Sequence, residues 1–115
     1  MKIWQKAMNI AQETHHLAGL LPAGSSRSLA EQMRRSAISI PSNIAEGRMR
    51  SSDADFKRFL TVAFASGAEL ETQLELARRF YPKQGIEGRC AKIEKSLGDL
   101  MPMMNRFISQ LKAKS

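Results

Sequence analysis

From Phe56 to Tyr81 an apolar or small residue returns after alternating steps of four and three: Phe56, Leu60, Ala63, Gly67, Leu70, Leu74, Ala77 and Tyr81. That spacing is a coiled-coil-like seam, a helix that lays one narrow face on a neighbour. Ile86, Cys90, Ile93, Leu97, Leu100, Met104, Phe107 and Leu111 repeat it. Pro82 and Gly85 break the chain between the two runs. Two such helices have seams to bury, and the rest of the chain must supply what covers them.

Two more helices are legible upstream. The first runs from about Lys2 to Leu21, with Ile3, Ala7, Ile10, Thr14, Leu17 and Leu21 on one stripe. Pro22 to Ser26 ends it, and Ser26 or Ser28 is the expected cap of the next helix. The second runs from Arg27 to Glu46. Met33, Ala37, Ile40 and Ile44 share its core face, and Ser36, Ser39, Ser42 and Ala45 are small. Pro41 lies inside it and withdraws one donor, at a cost of about 3 kcal/mol in an ordinary helix interior. A kink is expected there, with Ser42 or Asn43 satisfying the freed groups. Gly47 is the expected left-handed stop.

Ser52-Asp53-Ala54-Asp55 reads as the cap and acidic first turn of helix three, which spans Asp53 to about Phe80. Gly67 reads as room for close approach by the Pro41 region. Helix four spans Ile86 to about Lys112, with a kink or a frayed last third expected at Pro102. Four amphipathic helices with short links predict one all-α domain over residues 1–115, an antiparallel up-down four-helix bundle.

The stretch around Pro41 also carries a resemblance. Gln32, Arg34-Arg35 and Ile40-Pro41-Ser42-Asn43-Ile44-Ala45-Glu46-Gly47 are followed by Phe56, Phe59-Leu60 and Glu69-Leu70-Glu71-Thr72-Gln73-Leu74, and preceded by Ile3-Trp4-Gln5-Lys6-Ala7-Met8. In this pattern and order the chain resembles the helical-bundle proteins encoded in intervening sequences of bacterial large-subunit (23S) ribosomal RNA genes, and the related accessory proteins of diversity-generating retroelements. The resemblance implies the same bundle and a barrel-like homopentamer. It also implies an association with ribosomal RNA genes and reverse transcriptases.

Residue chemistry points away from catalysis. A di-iron carboxylate bundle needs two Glu-x-x-His motifs and two further glutamates. Glu13-Thr14-His15-His16 supplies one motif, and these are the only two histidines. Cys90 lies on the helix-four seam, where it reads as a small buried hydrophobe rather than a nucleophile. No phosphate-binding glycine loop is present. A non-enzyme with no metal and no cofactor is expected. The lone cysteine, the lack of an apolar run near 20 residues and the lack of a secretory leader predict a cytoplasmic protein away from the membrane.

Charge is the compositional bias. The formal net charge is +7. Residues 22–52 hold five cations against two acids, and residues 83–115 hold seven against three. Arg27, Arg34, Arg35, Arg48, Arg50, Lys57 and Arg58 surround helix two and the start of helix three. Lys83, Arg89, Lys92 and Lys95 mark the start of helix four. These eleven are the candidate contacts to RNA or DNA, with Arg48 and Arg50 best placed to reach phosphates. Few aromatics means little base stacking, so binding is expected to be electrostatic. Glu69 or Glu71 is the expected partner of Arg34 or Arg35, and Glu75 of Arg78 and Arg79. Ile38 points away from the core face of helix two and is the candidate oligomer contact. The alternative function is a protein-interaction scaffold for a nucleic-acid enzyme such as a reverse transcriptase.

Overall fold

The structure, a computed structural model, describes residues 1–114, with side chains through Leu111. It is all-α, with four helices and no strand among the described residues: α1 (Lys2–Leu20), α2 (Arg27–Arg48), α3 (Asp53–Phe80) and α4 (Gln84–Lys114). Each helix packs on its neighbour in sequence, and α4 also packs on α1. The diagonal pairs, α1 with α3 and α2 with α4, stay apart. The body measures 46 × 22 × 19 Å.

The four stripes meet in one core. Ile3, Ile10, Leu17, Met33, Ile40, Ile44, Leu60, Leu70, Leu74, Ile93, Leu97 and Leu100 are fully buried. Burying each such side chain contributes about 1.5–3 kcal/mol, so the seam residues supply most of the drive to fold. Cys90 and Ala63 lie in the same cluster.

Several local expectations change. Gly47 is not a left-handed stop. It lies inside α2, and the one glycine with positive φ is Gly24, at 87° in the α1–α2 turn. A Cβ at Gly47 would sit 2.9 Å from Phe56 Cδ1 and 3.0 Å from Phe59 Cβ. Gly47 is small because the first turns of α3 lie against it. Gly67 faces Met101 and Leu97 of α4, not the Pro41 region. Ser26 occupies the cap position of α2 but gives its hydroxyl to the Pro22 carbonyl instead of capping. Ser52 does cap α3, accepting from the Asp55 N–H at 3.1 Å.

The α2–α3 contact is polar in its middle. Asn43 Nδ2 donates to the Ser39 carbonyl at 2.8 Å and to Ser39 Oγ at 2.9 Å. Ser39 Oγ in turn lies 2.8 Å from Ser66 Oγ. Proline at 41 frees the carbonyl of Ala37, one turn back. Asn43 therefore reinforces the turn beside the proline rather than filling the place of its missing N–H. α4 continues through Pro102 to Lys114.

Candidate nucleic-acid interface

The eleven candidate cations do not form one patch. Arg27 and Arg48 begin and end α2, about 32 Å apart at 1.5 Å per residue. Arg48, Arg50, Lys57 and Arg58 gather where α2 turns into α3. Lys83 and Arg89 stand at the other end, where α3 gives way to α4. Arg35 lies between the two ends on α2. Lys92 and Lys95 lie further along α4.

The α2–α3 corner is heavily engaged. Arg50 pairs with Glu46 at 3.1 Å, and Arg58 with Asp55 at 3.5 Å. Both guanidinium groups also lie over the Phe59 ring, at 5.0 and 4.6 Å from its centroid. Such contacts orient the arginines and cancel part of their charge. Phe59 holds the corner together; the sequence signal for it was an aromatic nine residues after an arginine, too loose to read. Lys57 is half-buried and Arg48 exposed, and neither has a carboxylate partner among the described residues.

Elsewhere the pairing differs from expectation. Arg34 donates through Nε to His15 Nδ1 at 3.3 Å, tying α2 to α1. It does not meet Glu69 or Glu71, which are exposed on α3, and neither does Arg35, which is exposed without a carboxylate partner among the described residues. The reason is geometric: Arg34 lies on the α1 side of α2, whereas Ser39 and Asn43 mark the α3 side. Arg27 pairs with Glu31 at 3.4 Å. Arg79 pairs with Glu75 at 2.9 Å, as the spacing predicts. Arg78 does more: it reaches Glu94 at 2.7 Å and Glu87 at 3.1 Å, bridging α3 and α4. Glu87 and Glu94 lie seven apart on α4, which is the signal that could have revealed them.

On α4, Lys92 reaches across to Glu13 of α1 at 3.2 Å. Lys83, Arg89 and Lys95 are exposed with no carboxylate partner among the described residues. Ile38 is 56 % exposed on α2, and Met49, eleven residues on along the same side, is 84 % exposed.

The nucleophiles and metal ligands are dispersed. Burial pushes the Cys90 thiol up to about 11, and its Sγ faces the Leu74 carbonyl at 3.7 Å inside the core. His15 and His16 are both exposed. Among the described residues no three His, Cys, Asp or Glu side chains converge in a metal-binding group. No described helix is long and apolar enough to cross a membrane.

Comparison with known proteins adds three findings. The family model described as 23S rRNA-intervening sequence protein matches residues 1–106. A crystal structure of a protein with unknown function from the S23 ribosomal protein family, from Bacteroides thetaiotaomicron, is similar over 92 % of this chain and 97 % of that one. Its TM-score is 0.82 at 24 % sequence identity, a likeness of fold alone. No curated protein matches.

Proposed function

This chain belongs to the 23S rRNA-intervening sequence protein family, and from that premise we propose that it is a non-enzymatic, oligomeric protein that binds RNA or DNA through its basic surface. The observation that carries the reading is the state of its cations. Arg35, Arg48, Lys57, Lys83, Arg89 and Lys95 face no carboxylate partner among the described residues, in a chain of net charge +7. Unpaired surface cations attract a polyanion by releasing its counterions. The sealed, protonated Cys90 argues against thiol chemistry. We place the protein in the cytoplasm.

The topology we read is antiparallel up-down with α2 bent at Pro41. Pairs that descend along α2 as they ascend along α3 support it: Gly47 meets Phe56, and Ser39 meets Ser66. The assembly we read is a homopentamer. Ile38 and Met49, exposed on one side of α2, support a subunit contact there. The same apolar stripe favours a second reading, a scaffold that holds a nucleic-acid enzyme.

A salt titration tests the function. Structured RNA, duplex DNA and heparin are each titrated with the intact protein. We expect binding to RNA or DNA at low salt with a steep log–log slope, near −0.9 per phosphate neutralised on duplex DNA. No binding at low salt overturns the reading. Equal affinity for heparin moves the scaffold reading ahead. Sedimentation tests the assembly: one discrete oligomer is expected, and a monomer at micromolar concentration contradicts it.

A further inference from the structure

We infer that the outer face shared by α1 and α4 is the docking surface for a nucleic-acid duplex, gripped by its phosphodiester backbone. The inference rests on the nucleic-acid reading above and names the surface and the ligand class within it. At 3.6 residues per turn, Arg89, Lys92, Lys95 and Arg106 fall within an arc of about 120° on α4. All four are exposed. On α1, Lys2, Lys6 and Glu13 share one narrow stripe, since they lie four and seven residues apart. The Lys92–Glu13 bridge at 3.2 Å joins the α1 stripe to the α4 arc, so the two helices present one face.

The charge on that face is lopsided. It carries six cations, Lys2, Lys6, Arg89, Lys92, Lys95 and Arg106, against two acids, Glu13 and Asp99. The other described acids of α4, Glu87 and Glu94, are drawn to the opposite side by Arg78. Only Lys92 of the six is spent on a carboxylate among the described residues. At the α2–α3 corner the balance is closer: Arg48, Arg50, Lys57 and Arg58 stand against three acids, Glu46, Asp53 and Asp55, and Arg50 and Arg58 are both paired and both stacked on Phe59.

Geometry selects a duplex. From Arg89 to Arg106 the α4 cations span about 26 Å at 1.5 Å per residue, the length of about eight base pairs at 3.4 Å each. The basic stripe offers no stacking platform for unpaired bases. Phe107 falls in the same arc, five turns from Arg89, but it is half-buried and packs toward Phe56, 6.3 Å between ring centroids. A row of cations along one helix, three of them one turn apart and the fourth three turns on, without an exposed aromatic among them, suits a continuous phosphodiester backbone. Duplex RNA and duplex DNA share that chemistry.

The test compares two variants of the full chain on duplex RNA, duplex DNA, a single strand of the same sequence and heparin. One variant is Arg89→Ala/Lys95→Ala/Arg106→Ala. The other is Arg50→Ala/Arg58→Ala, the two corner arginines already paired with carboxylates. All substituted side chains are exposed, and circular dichroism checks that both variants keep their helices. The face variant should lose about a hundredfold in duplex affinity at low salt, and its salt slope should flatten by about 2.7, three phosphate contacts at 0.9 each. The corner variant should change affinity by less than about threefold, as expected where charges are already paired. Whichever duplex binds more tightly identifies the source of the backbone. If the corner variant loses binding and the face variant keeps it, the face is wrong while nucleic-acid binding stands. Tighter binding to the single strand, or equal binding to heparin, overturns the duplex. An intact protein that binds no nucleic acid overturns both readings.

Discussion

The two sides of the bundle use the same helical period for opposite ends. Between α2 and α3 the contact residues are small or polar: Gly47, Ser39, Asn43 and Ser66. Small side chains bring the backbones together, and the contact there is the most extensive in the fold. Between α1 and α4 the contact is the thinnest, and its outer edge is lined by lysine and arginine. Close approach fixes the fold, and the looser pair leaves charge facing water. Substitutions should therefore change stability on the first side and binding on the second.

The largest stability loss is expected at Gly47. In Gly47→Ala the new methyl meets both Phe56 and Phe59, and the Phe56 carbonyl at 3.3 Å is backbone that cannot swing aside. Overpacking of this kind costs about 1–3 kcal/mol, read as a lower denaturant midpoint. Gly67→Ala sharpens the point. Its methyl meets the half-buried, flexible Met101, and helix propensity returns up to about 1 kcal/mol, so the net loss should be smaller than at Gly47. If Gly67→Ala proves the worse of the two, close approach of α2 and α3 is not what limits the fold.

Ser39→Ala comes next. It deletes the hydroxyl that links Asn43 to Ser66 and should cost about 1 kcal/mol. On the looser side Thr14→Val should be neutral or stabilising by up to about 1 kcal/mol. Thr14 is fully buried on α1 and its Oγ1 has no partner among the described residues. Lys95→Ala should leave stability within about 0.5 kcal/mol. Thermal or urea unfolding measures all of these.

Cys90 gives a pH test of the shared core. Its thiol is pushed up from 9.0 to about 11, chiefly by burial. The unfolded chain gives up the thiol proton near pH 9 while the folded chain keeps it. Stability is therefore full below pH 9 and falls as pH rises toward 11. Cys90→Ala should flatten that fall, and a thiol reagent at pH 8 should label Cys90 only after unfolding. Prompt labelling of the native protein would show the core to be open.

How much of this was written in the sequence depends on the range of the interaction. The seams were legible because spacing along one helix is a local property, and Ile3, Leu60 and Leu97 are buried where their stripes require. The Ser52 cap was legible for the same reason. The partners of Gly67, Arg34 and Arg78 were not. They depend on which helix lies on which side, and a wheel of one helix does not carry that. Gly47 shows the limit well: glycine suits a left-handed stop and a close contact equally, and only the position of Phe56 decides. The site was legible as composition, a basic excess, but not as a surface. The Arg50–Glu46 and Arg58–Asp55 pairs remove charge from the corner that sequence counted in full.

Lysine acetylation footprinting tests the central claim most directly, because it reads both sides of the molecule in one experiment. The protein is labelled alone and when saturated with a duplex RNA or DNA at low salt. The α1–α4 surface predicts that Lys2, Lys92 and Lys95 become protected while Lys57, at the α2–α3 corner, labels at the same rate with and without duplex. Protection of Lys57 with Lys92 and Lys95 unchanged would contradict it.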